Sequence, residues 1–188
     1  MILADTRSRA VVAFALVALM AATRIHHFGV GAILPDASVA VFFLARMLVG
    51  GPALFVGLLV EAAVLDQLAF TLAGVSDWCF TPAYAALPPA YGALFLAGRM
   101  SRDLLGTEPE RLARLAAHLG LGILAFFAIS NLGFWAASGY FSGMPLGDYA
   151  AAVMKYLPPY LATGFAYTAA VLAVVGLALR TRRTAAAG

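Results

Sequence analysis

The chain has 188 residues, of which 63% are hydrophobic by the broad count and only 11% charged, against roughly a quarter charged in an ordinary soluble domain. With a mean hydropathy of +0.93, this composition excludes a water-soluble globule. The net charge of +3 does not point to nucleic acid, because the basic residues are scattered at the ends of apolar runs and not gathered on one face.

Apolar runs bounded by polar or Gly/Pro punctuation fall at about 10–27, 36–50, 52–72, 80–98, 112–137 and 149–179, each read as one helix. At roughly 20 residues per crossing, these predict an all-α integral membrane bundle of six helices, a single domain over residues 1–188. The first run follows Arg7 and Arg9, as a secretory signal would, but its apolar character continues past Leu19-Met20-Ala21-Ala22 and it is read as a span. The second and third are joined by Gly50-Gly51-Pro52, which predicts a tight turn and a helical hairpin, since proline starts a helix but cannot continue one. Pro158-Pro159 stands some way inside the sixth run, so that end is expected to be kinked or to begin as a separate short segment.

Topology follows from the positive-inside rule. With both termini in the cytoplasm, Arg7, Arg9, Arg46, Arg99, Arg102, Arg111, Arg114, Arg180, Arg182 and Arg183 lie on or near that side, and only Arg24 and Lys155 lie outside. The outer loops are then about 24–35, 73–79 and 138–148. The chain has no GxGxxG or Walker-type loop and hence no ATPase of its own.

Those outer loops hold the unusual chemistry. The single cysteine, Cys79, lies in Asp77-Trp78-Cys79-Phe80-Thr81-Pro82, a polar and aromatic setting and not an apolar run. A lone cysteine in a bundle is usually a small buried hydrophobe; a deprotonated one binds soft or borderline metals and attacks electrophilic centres. Asp77 works against deprotonation unless it points away or a metal compensates. His26 and His27 follow the first span; being adjacent, they cannot form an i, i+4 chelating pair, and at most one faces a site. His118 has no acidic or thiol neighbour and is read as structural. Asp66 lies about 14 residues beyond Pro52, roughly 20 Å of helix rise, near the outer end of the third span, where an ionisable group is a functional hypothesis by default. Glu61, nearer the middle, is expected to be a buried partner of Arg46 across the hairpin. The outer ends of the fourth to sixth runs are rich in aromatic and amide groups, Tyr84, Tyr91, Asn131, Trp135, Tyr140, Phe141, Tyr149, Tyr156 and Tyr160, many of which an interfacial aromatic belt explains. With Met144, Asp148 and Lys155 they also suit a large ligand that has both flat apolar surface and polar tips.

Taken together, the His-His-Phe-Gly segment after the first span, Asp66 late in the third, Asp-Trp-Cys-Phe-Thr-Pro around Cys79 and Ile129-Ser130-Asn131-Leu132-Gly133 resemble the BtuM-type cobalamin transporters. These are solitary relatives of the substrate-binding S-components of energy-coupling-factor transporters, and the resemblance covers nearly the whole chain. It implies uptake of vitamin B12 across a bacterial inner membrane, with cobalamin as the bound substrate on the periplasmic side. It also implies Cys79 as axial ligand to the cobalt, with His27, Asp66 and Tyr84 nearby; Tyr140 and Lys155 join them from the outer aromatic group. A thiolate that displaces the upper ligand would remove cyanide from cyanocobalamin, so Cys79 is the candidate catalytic residue. The implied partners are the lipid bilayer and, unless the protein acts alone, a coupling module of a transmembrane subunit with ATPases. S-components pack small residues at AxxxA spacing against such a subunit, and Ala18 and Ala22 have that spacing. Three other readings stand beside this one: a permease for another vitamin or metal complex, a small membrane enzyme with Cys79 as nucleophile and His27 as base, and a purely structural membrane subunit, which should bind no chromophore.

Overall fold

The computed structural model describes residues 5–24, 34–73 and 81–187, the side chains of 72, 73 and 182–187 excepted. Cys79, His26 and His27 lie outside the described residues. The described chain is all helical: α1 (Thr6–Arg24), α2 (Ser38–Leu44), α3 (Pro52–Ala73), α4 (Leu87–Met100), α5 (Pro109–Ala137), α6 (Leu146–Val153) and α7 (Leu157–Ala187). Three short irregular helical pieces complete it: a π-helical turn Ala45–Val49 ends α2, and 3-10 turns Pro82–Ala86 and Met154–Tyr156 lead into α4 and α7. Four stretches among the described residues are long and apolar enough to cross a membrane, Thr6–Arg24, Pro52–Thr71, Pro109–Ala137 and Leu146–Thr181.

Proline sets most of the helix starts. Pro52, Pro109 and the pair Pro88-Pro89 sit in first turns, where the missing N–H has no intrahelical partner to lose. Pro158-Pro159 does the same for α7, so the sixth apolar run is divided into α6, a 3-10 turn and α7. Between α2 and α3 the chain reverses at Gly50 and Gly51, whose φ values of 87° and 89° lie where a Cβ is strained.

The short α2 is the axis of the bundle. Every residue from Ser38 to Leu44 is buried, as are Ala45, Met47 and Leu48, because α1, α4, α5 and α7 all pack against it. Phe42 carries the packing outward: its ring stacks on Tyr91 of α4 at 4.0 Å and meets Phe55 of α3 edge-on at 5.8 Å. Gly98 lets α4 approach α2 so closely that a Cβ there would strike the carbonyl oxygen of Phe43.

One expected pairing does not form. Glu61 and Arg46 make no ion pair; the Glu61 carboxylate oxygens are buried with no hydrogen-bond partner among the described residues, and Arg46 lies over the Phe95 ring instead. The cause is axial offset: Arg46 is one turn from the Gly50 reversal, whereas Glu61 is nine residues into α3, roughly 13 Å along it. The His118 Nδ1 lies 3.1 Å from the Ser101 hydroxyl.

Candidate functional site

At the end of the bundle where α1 finishes and α2 begins, Arg24 lies at the centre of a buried polar network. It is the last residue of α1 and is 5% exposed; Asp66, from the late turns of α3, is 3% exposed. Arg24 Nε donates to Asp66 Oδ1 and Nη2 to Oδ2, both at 2.7 Å, a bidentate pair matched in geometry to the guanidinium fork. Its Nη1 donates to Ser38 Oγ at 2.9 Å and to Tyr91 Oη at 2.8 Å, and lies 3.8 Å from Asp36 Oδ2. Tyr84, delivered by the 3-10 turn before α4, donates its hydroxyl to Asp66 Oδ2 at 2.7 Å. One guanidinium thus ties α1, α2, α3 and α4 together.

The start of α2 is fixed from two further sides. Asp36 Oδ1 accepts from the Ser38 backbone N–H at 2.9 Å and from its hydroxyl at 2.6 Å, a local turn that orients Ser38 toward Arg24. Thr23 Oγ1, beside Arg24, accepts from the Ala37 N–H at 3.1 Å.

This network forms one wall of a cavity of about 460 Å³, within the range of small-molecule sites. Arg24, Asp36, Asp66, Tyr84 and Tyr91 make its polar side; Val39, Ala83, Leu87, Phe126, Phe134 and Tyr160 make its apolar side, with Ser130, Asn131 and Tyr156 completing the lining. The rings are contiguous: Tyr91 lies 4.9 Å from Phe126, and Phe126 lies 5.9 Å from Tyr160. Asn131 is held in place, its Nδ2 donating to the Phe127 carbonyl at 2.8 Å and its Oδ1 accepting from Tyr149 Oη at 3.2 Å. A broad aromatic surface opposite fixed donors and acceptors can grip a flat ligand by its face and read polar groups on its edge.

Of the residues singled out from the sequence, Asp66 and Tyr84 line this cavity and bond to each other. Tyr140 and Lys155 are exposed and stand one step behind the lining: the Tyr140 ring is 6.1 Å from Phe134, and the Lys155 ammonium is 5.0 Å from the Tyr156 ring centroid. Cys79 and His27 lie outside the described residues; Thr81, two positions after Cys79, caps the turn that carries Ala83 and Tyr84 by accepting from the Ala83 N–H at 3.3 Å. Sequence reasoning missed Arg24 as the organising group. The available signal was its place, with Lys155, as one of the two basic residues that the positive-inside expectation leaves on the outer side, where Asp66 is also expected. A second cavity, of about 560 Å³, lies at the other end between the α4–α5 connection and α7; it is lined chiefly by leucines, with Arg180 its one charged residue among those described.

Compared with known proteins, the chain matches no family model and no curated protein sequence.

Proposed function

We propose that this protein is a multi-pass membrane transporter of the bacterial inner membrane that binds cobalamin in the cavity beside Arg24 and Asp66. Its six helical stretches would form an S-component-like bundle with both termini in the cytoplasm and the cavity facing outward. The observation that carries the reading is the cavity's make-up: contiguous aromatic rings facing a saturated polar network, with Ala83 and Tyr84 of its wall following Cys79 by four and five residues. A corrin ring is flat and apolar on its faces and bears amide side chains at its rim. Phe126, Tyr160 and Phe134 suit the faces, and Asn131, Ser130 and Tyr84 suit the amides. Because a whole cobalamin exceeds 460 Å³, one edge would enter the cavity while the rest lies across its mouth.

The resemblance carried by the Cys79 segment supplies the metal contact. The corrin occupies four equatorial positions of the cobalt, and a thiolate can take one of the remaining two. On cyanocobalamin, the Cys79 sulfur lone pair would form a Co–S bond while the Co–C bond breaks and cyanide leaves with its electron pair. Cobalt remains Co(III), and the thiol proton and cyanide are released to solvent, so no oxidant or reductant is required. Energy for uptake would come from a coupling module, for which the exposed Ala18 and Ala22 of α1 offer a close-packing surface, or from tight binding beyond the membrane.

The test is the visible spectrum of the purified protein after incubation with cyanocobalamin and removal of free ligand, beside Cys79→Ala. A stoichiometric coloured complex whose spectrum differs between the two supports both binding and cobalt–thiolate contact. Colourless protein in both cases rejects the cobalamin reading.

A further inference from the structure

At the end of the bundle opposite the cavity, Arg46 and Arg102 converge, with Arg99 one turn before Arg102 at the end of α4. Arg102 Nε donates to the backbone carbonyl of Arg46 at 3.1 Å. Its guanidinium lies over the Gly50 turn, where a Cβ would collide with it, and that same point is 3.6 Å from Arg46 Nη1. Arg46 is held on its other side by the Phe95 ring, 5.3 Å from the guanidinium carbon to the ring centroid. Both arginines are half-buried, and Arg99, one turn before Arg102, is exposed. Among the described residues none of the three pairs with a carboxylate, unlike Arg24 with Asp66 and Arg111 with Glu108.

Arginines that only bias topology have no reason to approach one another, since like charges repel and water is the better surrounding for each. Here a carbonyl and an aromatic ring fix two forks side by side. The partner that matches several convergent guanidiniums is a phosphate, whose oxygens accept from each fork. The neighbouring surface says which phosphate. Leu96 and Met100 of α4 are 60% and 65% exposed and Val56 of α3 is 56% exposed, so apolar surface runs from the arginines toward the middle of the bundle. A free phosphate ion has no use for that surface, whereas an acyl chain does.

The geometry points to a binding site for the phosphate of an anionic phospholipid at Arg46, Arg99 and Arg102, with an acyl chain along Leu96 and Val56. The inference rests on the membrane reading above but not on the ligand proposed for the cavity. The experiment is native mass spectrometry of detergent-purified protein titrated with phosphatidylglycerol, with phosphatidylcholine and with inorganic phosphate as separate arms. The parent should retain phosphatidylglycerol in preference to phosphatidylcholine, and millimolar inorganic phosphate should not displace it. Retention should fall roughly fivefold for each arginine neutralised, in Arg46→Gln/Arg102→Gln and also in Arg99→Gln, whose exposed side chain bears no packing. Equal retention by the parent and both variants overturns the site, and displacement by inorganic phosphate overturns the lipid as its occupant. A chain that stays monodisperse without detergent would sink the membrane reading itself; one that needs detergent yet shows no preference for phosphatidylglycerol sinks this site alone.

Discussion

Arg24 and Asp66, forty-two positions apart in the chain, meet through two hydrogen bonds of 2.7 Å and leave each other almost no contact with solvent. Removing one partner strands the other's charge in a buried setting, which costs about 3–5 kcal/mol, whereas removing both leaves only Asp36, 3.8 Å from Arg24 Nη1, without its cation. Arg24→Ala and Asp66→Ala should each lower the melting temperature in detergent sharply, and the double variant should lose less than the sum of the two. Additive losses would mean that the pair is not energetically coupled. Arg24→Lys should not rescue, because an ammonium cannot supply the fork that spans both carboxylate oxygens.

Tyr84 gives the same carboxylate its third hydrogen bond. Tyr84→Phe keeps the ring in the cavity wall and removes only the hydroxyl, so stability should fall by about 1.5 kcal/mol, the contribution of a bond to a charged acceptor. If the hydroxyl also orients the bound ligand, the variant will retain cyanocobalamin more weakly than Tyr140→Phe, whose ring lies outside the lining. Equal retention by the two would assign Tyr84 a structural role only.

Gly98, at the close approach of α4 to α2, and Gly57, in the open, should respond in opposite directions to the same change. Gly98→Ala places a methyl against the Phe43 carbonyl, and overpacking against backbone should cost about 1–3 kcal/mol. Gly57 sits in α3, where a methyl on its Cα would meet nothing within 4 Å, so Gly57→Ala should stabilise by about 0.5–1 kcal/mol through helix propensity alone. Thermal unfolding of both proteins checks the contrast, and a similar response at the two sites would contradict the packing.

Glu61 has buried carboxylate oxygens without a hydrogen-bond partner among the described residues. An apolar replacement removes polar atoms that gain nothing from their surroundings, so Glu61→Leu should be neutral or stabilising, by up to about 2 kcal/mol. A large loss of stability would restore the ion-pair role expected from the sequence.

The helix positions are legible because Gly50-Gly51-Pro52, Glu108-Pro109 and Pro158-Pro159 punctuate the apolar runs in ways a helix must respect. Burial is not legible. In so apolar a chain, outward and inward faces are alike apolar, and nothing in Val39–Leu44 marks it as the axis while Val56 and Val60 of α3 are exposed. The height of Asp66 follows from helix rise, yet its partner does not, since Arg24 is brought to it only by the packing of α1 against α3. Glu61 and Arg46 show the converse error: a short turn between two helices does not bring together residues whose distances from it differ.

The most direct test of the central claim is to fill the cavity. Ser130 lines it from α5, and Ser130→Trp places an indole in the space assigned to the corrin edge while leaving Cys79, Arg24 and Asp66 unchanged. With folding verified by an unaltered gel-filtration profile, the account predicts that this variant no longer retains cyanocobalamin after removal of free ligand. Retention equal to the parent would contradict it, because the vitamin would then bind elsewhere.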